Sequence, residues 1–254
     1  MNAPRCAILL LLLPMLGVLT GCPVTQPQET PVSALRLTCQ ALERGYWLYV
    51  PSYYDSQRDW PLVVTLHGWV PWDTSIMQIM EWKALAEEKG FIVAAPDLTS
   101  THGVPPAIRS IWMDQLASDE RAILSLIDEL SEKYRLDRDA VLLTGFSAGG
   151  YPMYYVGLRH PGRFNVLVAR ACNSDVGLFE SIELTEAAPK LPIVIYWGRD
   201  DLKPVRDWAW QAYRWLREHK FFETRKEQIS GGHIRRPEFA YDRWRPYMPP
   251  RHRR

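Results

Sequence analysis

No excess of charge of either sign marks this chain: 30 Lys and Arg stand against 29 Asp and Glu over 254 residues. Without a basic surplus there is no footprint for nucleic acid, which is held chiefly through its phosphates. Long apolar runs are missing as well. The N-terminal stretch, Ala7 to Leu13 and Leu16 to Leu19, is broken by Pro14 and Gly17. It falls short of the roughly 20 residues a spanning helix needs. Cysteine is scarce, at four, and no Cys/His cluster has the spacing of a metal site. Neither a metal nor another cofactor is therefore expected. No internal repeat is visible, so the chain does not read as an array of modules.

What is present begins with processing signals. Arg5 followed by a short apolar segment has the shape of a secretory signal. It ends in Leu19-Thr20-Gly21-Cys22, which resembles the bacterial lipobox. That resemblance implies cleavage before Cys22, lipid on its thiol and anchoring to the cell envelope; an ordinary secretory signal cut nearby is the alternative. Pro23 stands where the aspartate of inner-membrane retention would be, which points to the outer membrane in a cell that has two. Residues 1–21 are read as the signal peptide, 22–34 as a Pro/Gln/Thr-rich tether, 35–250 as one domain and 251–254 as a basic, solvated tail. Removing the signal takes away Arg5 alone and leaves 29 basic against 29 acidic residues. Cys39 and Cys172 remain in an oxidising setting and either pair or lie buried apart.

Within the domain, strand-like and helix-like segments alternate, the pattern of a mostly parallel sheet covered on both faces. Arg36 to Cys39 and Tyr46 to Val50 read as an opening antiparallel pair. Pro61 to Leu66, Phe91 to Ala95, Ala140 to Thr144, Val166 to Ala169 and Ile193 to Trp197 are short apolar runs, as strands buried on both sides require. Phe221 to Ile229 is mixed and belongs near an edge. Leu116, Ile123, Leu124, Ile127, Leu130 and Tyr134 form one helical stripe, and Val205, Trp208, Ala209, Ala212, Trp215 and Leu216 another. Ala171 to Leu191 holds no long amphipathic helix, so no large cap domain is expected and the site should be open.

Gly145-Phe146-Ser147-Ala148-Gly149-Gly150 follows a buried strand and precedes a helix, the setting of a nucleophile elbow. Serine needs a base, and the base needs an orienting anion. Ile193 to Trp197 runs into Gly198-Arg199-Asp200-Asp201; Asp201 has the expected spacing and Asp200 competes with it or caps the next helix. His233, after Ser230-Gly231-Gly232, is the candidate base; His102, His160, His219 and His252 read as surface residues, and His67 as a loop-former. An oxyanion hole requires two converging N–H groups, for which Ala148 and Trp69 are the candidates. Trp69, Trp72, Trp112 and Trp197 either line the mouth, where they could stack on sugar or phenolic groups, or fill core.

His67-Gly68, Ala95-Pro96-Asp97, the elbow, Gly198 to Asp201 and Gly232-His233 together resemble the α/β-hydrolase superfamily. The nearer resemblance is to its polyhydroxybutyrate depolymerase-like, feruloyl-esterase-like and acetylxylan-esterase-like group. Trp197 departs from that group, where many members have histidine, and Pro71 to Met77 matches no particular specificity. The resemblance implies a serine hydrolase acting on carboxylic esters, with short, phenolic or polymer-linked acyl groups carried on polysaccharide or polyester. The alternatives are a peptidase or amidase of the same fold, and a non-catalytic surface-binding module.

Overall fold

The computed structural model describes residues 35–39, 43–103 and 109–253. The signal segment, Cys22, the tether and Arg254 lie outside the described residues. Eight strands form one sheet: β1 (Leu35–Cys39), β2 (Arg44–Tyr49), β3 (Trp60–Leu66), β4 (Ile92–Pro96), β5 (Leu136–Phe146), β6 (Val166–Arg170), β7 (Ile193–Gly198) and β8 (Thr224–Ile229). Their order is β1-β2-β4-β3-β5-β6-β7-β8; β2 pairs antiparallel with β1 and β4, and all other pairs are parallel.

Parallel strands need helices on both faces, and alternate side chains along each strand go to opposite layers. Val63, Val93, Leu142, Val168 and Val194 pack on one side with Ile79, Trp82 and Ala86 of α1 (Ser75–Lys89) and with Ala240, Tyr241 and Trp244 of α6 (Pro237–Trp244). Leu62, Val64, Leu143, Leu167 and Ile195 face the other side. There they meet α2 (Arg109–Lys133), α3 (Gly150–Arg159) and α5 (Lys203–Glu218). In the expected stripes Leu116, Ile123, Ile127, Leu130, Ala209, Ala212 and Leu216 are buried, while Leu124 and Tyr134 are only partly covered. Between β6 and β7 stand only the five-residue α4 (Val176–Glu180) and a 3-10 turn, so no cap domain is inserted there.

Arg251 and Arg253 of the C-terminal tail are exposed, and the tail is also tied to the domain. Pro250–His252 form a 3-10 turn, and both the Arg251 guanidinium and His252 Nε2 reach Asp137 Oδ2 at 2.6 Å. Asp137 is buried at the start of β5, and a buried carboxylate needs cationic or hydrogen-bonding partners. Removing both, as in the double variant Arg251→Ala/His252→Ala, should lower unfolding free energy by about 1–3 kcal/mol in urea titration. Turnover per folded molecule should stay unchanged, since this contact is at the end of the sheet opposite the site.

Candidate active site

Strand β5 ends at Phe146, and a 3-10 turn over Ser147–Gly149 leads into α3. Ser147 sits at φ 52°, in the left-handed region that costs a residue bearing a Cβ about 1–3 kcal/mol. Close packing sustains the strain: a Cβ on Gly149 would stand 2.5 Å from the Leu66 carbonyl oxygen at the tip of β3. Asn173 N–H donates to the Ser147 carbonyl at 2.8 Å, tying the turn to the loop after β6. Ser147 is partly exposed at the carboxyl rim, ahead of the N-terminus of α3, where negative charge is favoured.

Two further segments come to this rim. His233 Nδ1 lies 2.9 Å from Asp201 Oδ1, with the carboxylate fully buried and the imidazole nearly so. Against a carboxylate acceptor Nδ1 must carry the proton, which leaves the Nε2 lone pair free to accept. The imidazole packs on the Phe146 ring, centroids 4.7 Å apart, and so lies beside the residue preceding Ser147. Asp201 Oδ1 also accepts Leu202 N–H at 2.7 Å. Asp200 is exposed, and α5 is capped by Leu202 without a side-chain bond, so neither aspartate side chain caps that helix. The histidine loop is braced from behind: Tyr196 Oη donates to the Arg235 and Arg236 carbonyls, and Asp200 N–H donates to the Gly231 carbonyl. Gly198 has to be glycine, since any Cβ there would run into the Gly231 and Gly232 carbonyl oxygens.

The loop after β3 is held as firmly. Leu98 N–H donates to His67 Nε2 at 3.1 Å, which puts the ring proton on Nδ1, 2.9 Å from the Gly68 carbonyl. Burial lowers the His67 pKa, keeping the ring neutral, as this pair of bonds requires. The Gly68 carbonyl belongs to the same planar peptide as the Trp69 N–H, so fixing one aims the other in the opposite direction. Gly68 lies against Ser147, whose Cβ is 3.1 Å from where a Cβ on this glycine would be.

Sequence reasoning missed a group of charged side chains beneath the rim. Arg170, fully buried at the end of β6, bonds Thr144 Oγ1 at 3.0 Å and Thr65 Oγ1 at 2.8 Å, and pairs with Glu81 at 3.3 Å. Arg235 pairs with Asp73 Oδ1 at 3.0 Å and with Glu81 Oε2 at 3.4 Å. Burial pushes the Glu81 carboxyl up to about 8 against the pull of these two guanidiniums. The available signal was an arginine closing the apolar run Val166 to Ala169, which a strand buried on both faces tolerates only with partners below it.

Other candidates fall elsewhere. Trp112 and Trp197 are buried, Trp112 edge-on against Tyr151 and Trp197 within β7, so both fill core; Trp69 is partly exposed and Trp72 largely so. His160 bonds Glu120, His219 stacks on Trp215, His252 holds Asp137, and His102 is exposed. Cys39 and Cys172 are separate buried thiols. Burial pushes Cys172 up to about 12, and its Sγ donates to the Gly145 carbonyl.

Dipeptidyl-peptidase 5 of Porphyromonas gingivalis is 24% identical over 203 residues, which cover 74% of this chain and 28% of that protein. The bifunctional acetylxylan esterase/xylanase XynS20E of Neocallimastix patriciarum is 31% identical over 117 residues, 46% of this chain and 16% of that one. The chain thus spans less than a third of these relatives' lengths. Among solved structures, the CE1 ferulic acid esterase AmCE1/Fae1A of Anaeromyces mucronatus superposes with a TM-score of 0.61 at 17% identity. That match covers 84% of this chain and 90% of the esterase. Dipeptidyl peptidase 4 of Porphyromonas gingivalis also gives 0.61, at 15% identity, over 87% of this chain and 35% of its own. These likenesses are of fold, and the eight-stranded sheet is that of an α/β-hydrolase. The prolyl oligopeptidase family matches residues 76–232, more than half of the chain, and to that family the protein belongs.

Proposed function

We propose that the protein is a serine hydrolase of carboxylic esters, with Ser147 as nucleophile, His233 as base and Asp201 as its orienting anion. The observation that carries this reading is the Asp201–His233 hydrogen bond, presented on a ring packed against the residue preceding a strained, partly exposed serine. Ser147 Oγ attacks the ester carbonyl while His233 Nε2 takes its proton. The oxyanion is held by the N–H groups of Ala148 and Trp69; the Gly68 N–H is already donated to Asp73 and is not available. The intermediate collapses as His233 returns the proton to the leaving alcohol. Water, deprotonated by the same imidazole, then releases the acid and restores the serine.

Ester substrates are supported by the sequence likeness, 31% over 117 residues, to a bifunctional acetylxylan esterase/xylanase. The sequence likeness to dipeptidyl-peptidase 5 favours the amide reading. A panel of p-nitrophenyl acetate, feruloyl and 3-hydroxybutyryl esters set against aminoacyl p-nitroanilides separates the two. Higher kcat/KM on an ester is expected, and faster anilide cleavage would replace the esterase by a peptidase. Inertness towards both, with no fluorophosphonate label on Ser147, would leave only a binding module.

A further inference from the structure

Resting on the hydrolase reading, we infer that Asp73 and Arg235 are positioning residues: a buried ion pair that locks the oxyanion loop to the histidine loop and so sets the catalytic register. Asp73 stands five residues after Gly68 and is 2% exposed. Its carboxylate receives four donors. Oδ2 accepts the Gly68 N–H at 2.7 Å and Gln78 Nε2 at 2.7 Å. Oδ1 accepts the Thr74 N–H at 3.1 Å and Arg235 Nη2 at 3.0 Å. Its own backbone N–H donates to the Trp69 carbonyl at 2.9 Å. One residue therefore grips the Gly68–Trp69 segment by the amide at its start and the carbonyl at its end, on either side of the N–H offered to the oxyanion.

The far end of the link is equally specific. Arg235 follows His233 by two residues, is 4% exposed, and lies with its guanidinium carbon 5.3 Å from the centre of the Phe146 ring. The same ring carries the His233 imidazole. Movement of Arg235 is thus shared with the imidazole through the backbone and through Phe146. Nothing else described joins the loops after β3 and β8 through side chains so directly, because β3 and β8 are separated in the sheet by β5, β6 and β7. Parallel strands alone do not fix the distance between such remote loops; a bidentate-capable guanidinium with a carboxylate does.

Chemistry also identifies the informative substitution. All four groups facing Asp73 are donors, so Asp73→Asn keeps the shape yet turns an NH2 group towards two of them. The experiment compares the wild type with Asp73→Asn, Arg235→Gln, the double variant and Arg235→Lys. Each is titrated with a fluorophosphonate so that ester hydrolysis is expressed per reactive Ser147. A small misplacement of catalytic groups can cost about a hundredfold, and each of the first two variants should lose on that order in kcat with KM unchanged. The double variant should be no slower than Arg235→Gln, which already severs the Asp73 link together with the 3.4 Å contact to Glu81. Lysine at 235 keeps a donor towards Asp73 and should recover part of the loss seen with glutamine. A merely structural pair would reduce the titratable fraction and the melting temperature while leaving the rate per reactive serine intact, and that result overturns the inference. So do losses that multiply in the double variant. If Asp73→Asn yields no folded protein, Arg235→Gln and Arg235→Lys decide the matter alone. Failure of the wild type to label or to turn over would instead remove the hydrolase reading, and the inference with it.

Discussion

Ester hydrolysis by the Ser147→Ala variant should fall by about a million-fold in kcat, as in triad enzymes stripped of their nucleophile. The expectation rests on where the hydroxyl stands. At φ 52°, on a turn held against the β3 tip, Ser147 is partly exposed at the carboxyl rim of the sheet. Alanine keeps the backbone, the glycines and both candidate oxyanion amides, so binding should survive with KM little changed while acylation stops. The assay is p-nitrophenol release with fluorophosphonate labelling as control. A variant that still turns over at even a hundredth of the wild-type rate would mean that another group performs the attack.

The second large effect concerns Asp201. Replacing it with asparagine should lower kcat by about ten-thousand-fold through the wrong tautomer of His233. In the native arrangement Oδ1 faces Nδ1 at 2.9 Å and accepts from Leu202 N–H as well, so this oxygen is fixed as an acceptor. Asp201→Asn can turn its amide nitrogen to the ring, put the imidazole proton on Nε2 and remove the lone pair that the proposed proton transfer from Ser147 requires. Asp200→Asn serves as the matched control. That side chain is exposed and its backbone, not its carboxylate, holds the histidine loop, so the rate should stay within about twofold, as for surface substitutions away from special features. Equal losses at the two positions would show that the carboxylate acts through the general field and not through the ring proton.

The parts of this molecule that were legible in its sequence are those whose physics is local. Val166 to Ala169 and Ile193 to Trp197 could be read as strands because burial on both faces leaves no room for polar alternation. The turn at Ser147 was legible because a strand, small residues and a helix follow one another without interruption. Helix α1 is not legible in the sequence, because buried Gln78 and Lys83 interrupt its apolar stripe. Gln78 is there for Asp73, Thr65 and Arg170, partners distant in sequence or carried on other elements. For the same reason the segment Pro71 to Met77 matched no known specificity while hiding Asp73. Trp112 and Trp197 sit near loops in sequence yet inside the core in space, and only packing distinguishes the two. The tail's contact with Asp137 was not legible because that buried acceptor lies more than a hundred positions upstream.

That acceptor, Asp137, opens the very strand whose other tip is Ser147. The chain's final turn therefore works as a footing: it clamps the root of β5 while the elbow bends the crown out of its relaxed shape. A bent crown stays bent only if the stem beneath it does not creep, and a creep of one residue along β3 and β6 would exchange the two faces of the stem. Residues 251 and 252, remote from any chemistry, thus secure the root of the strand whose far tip carries the turn at Ser147, a gain in stability and not in rate.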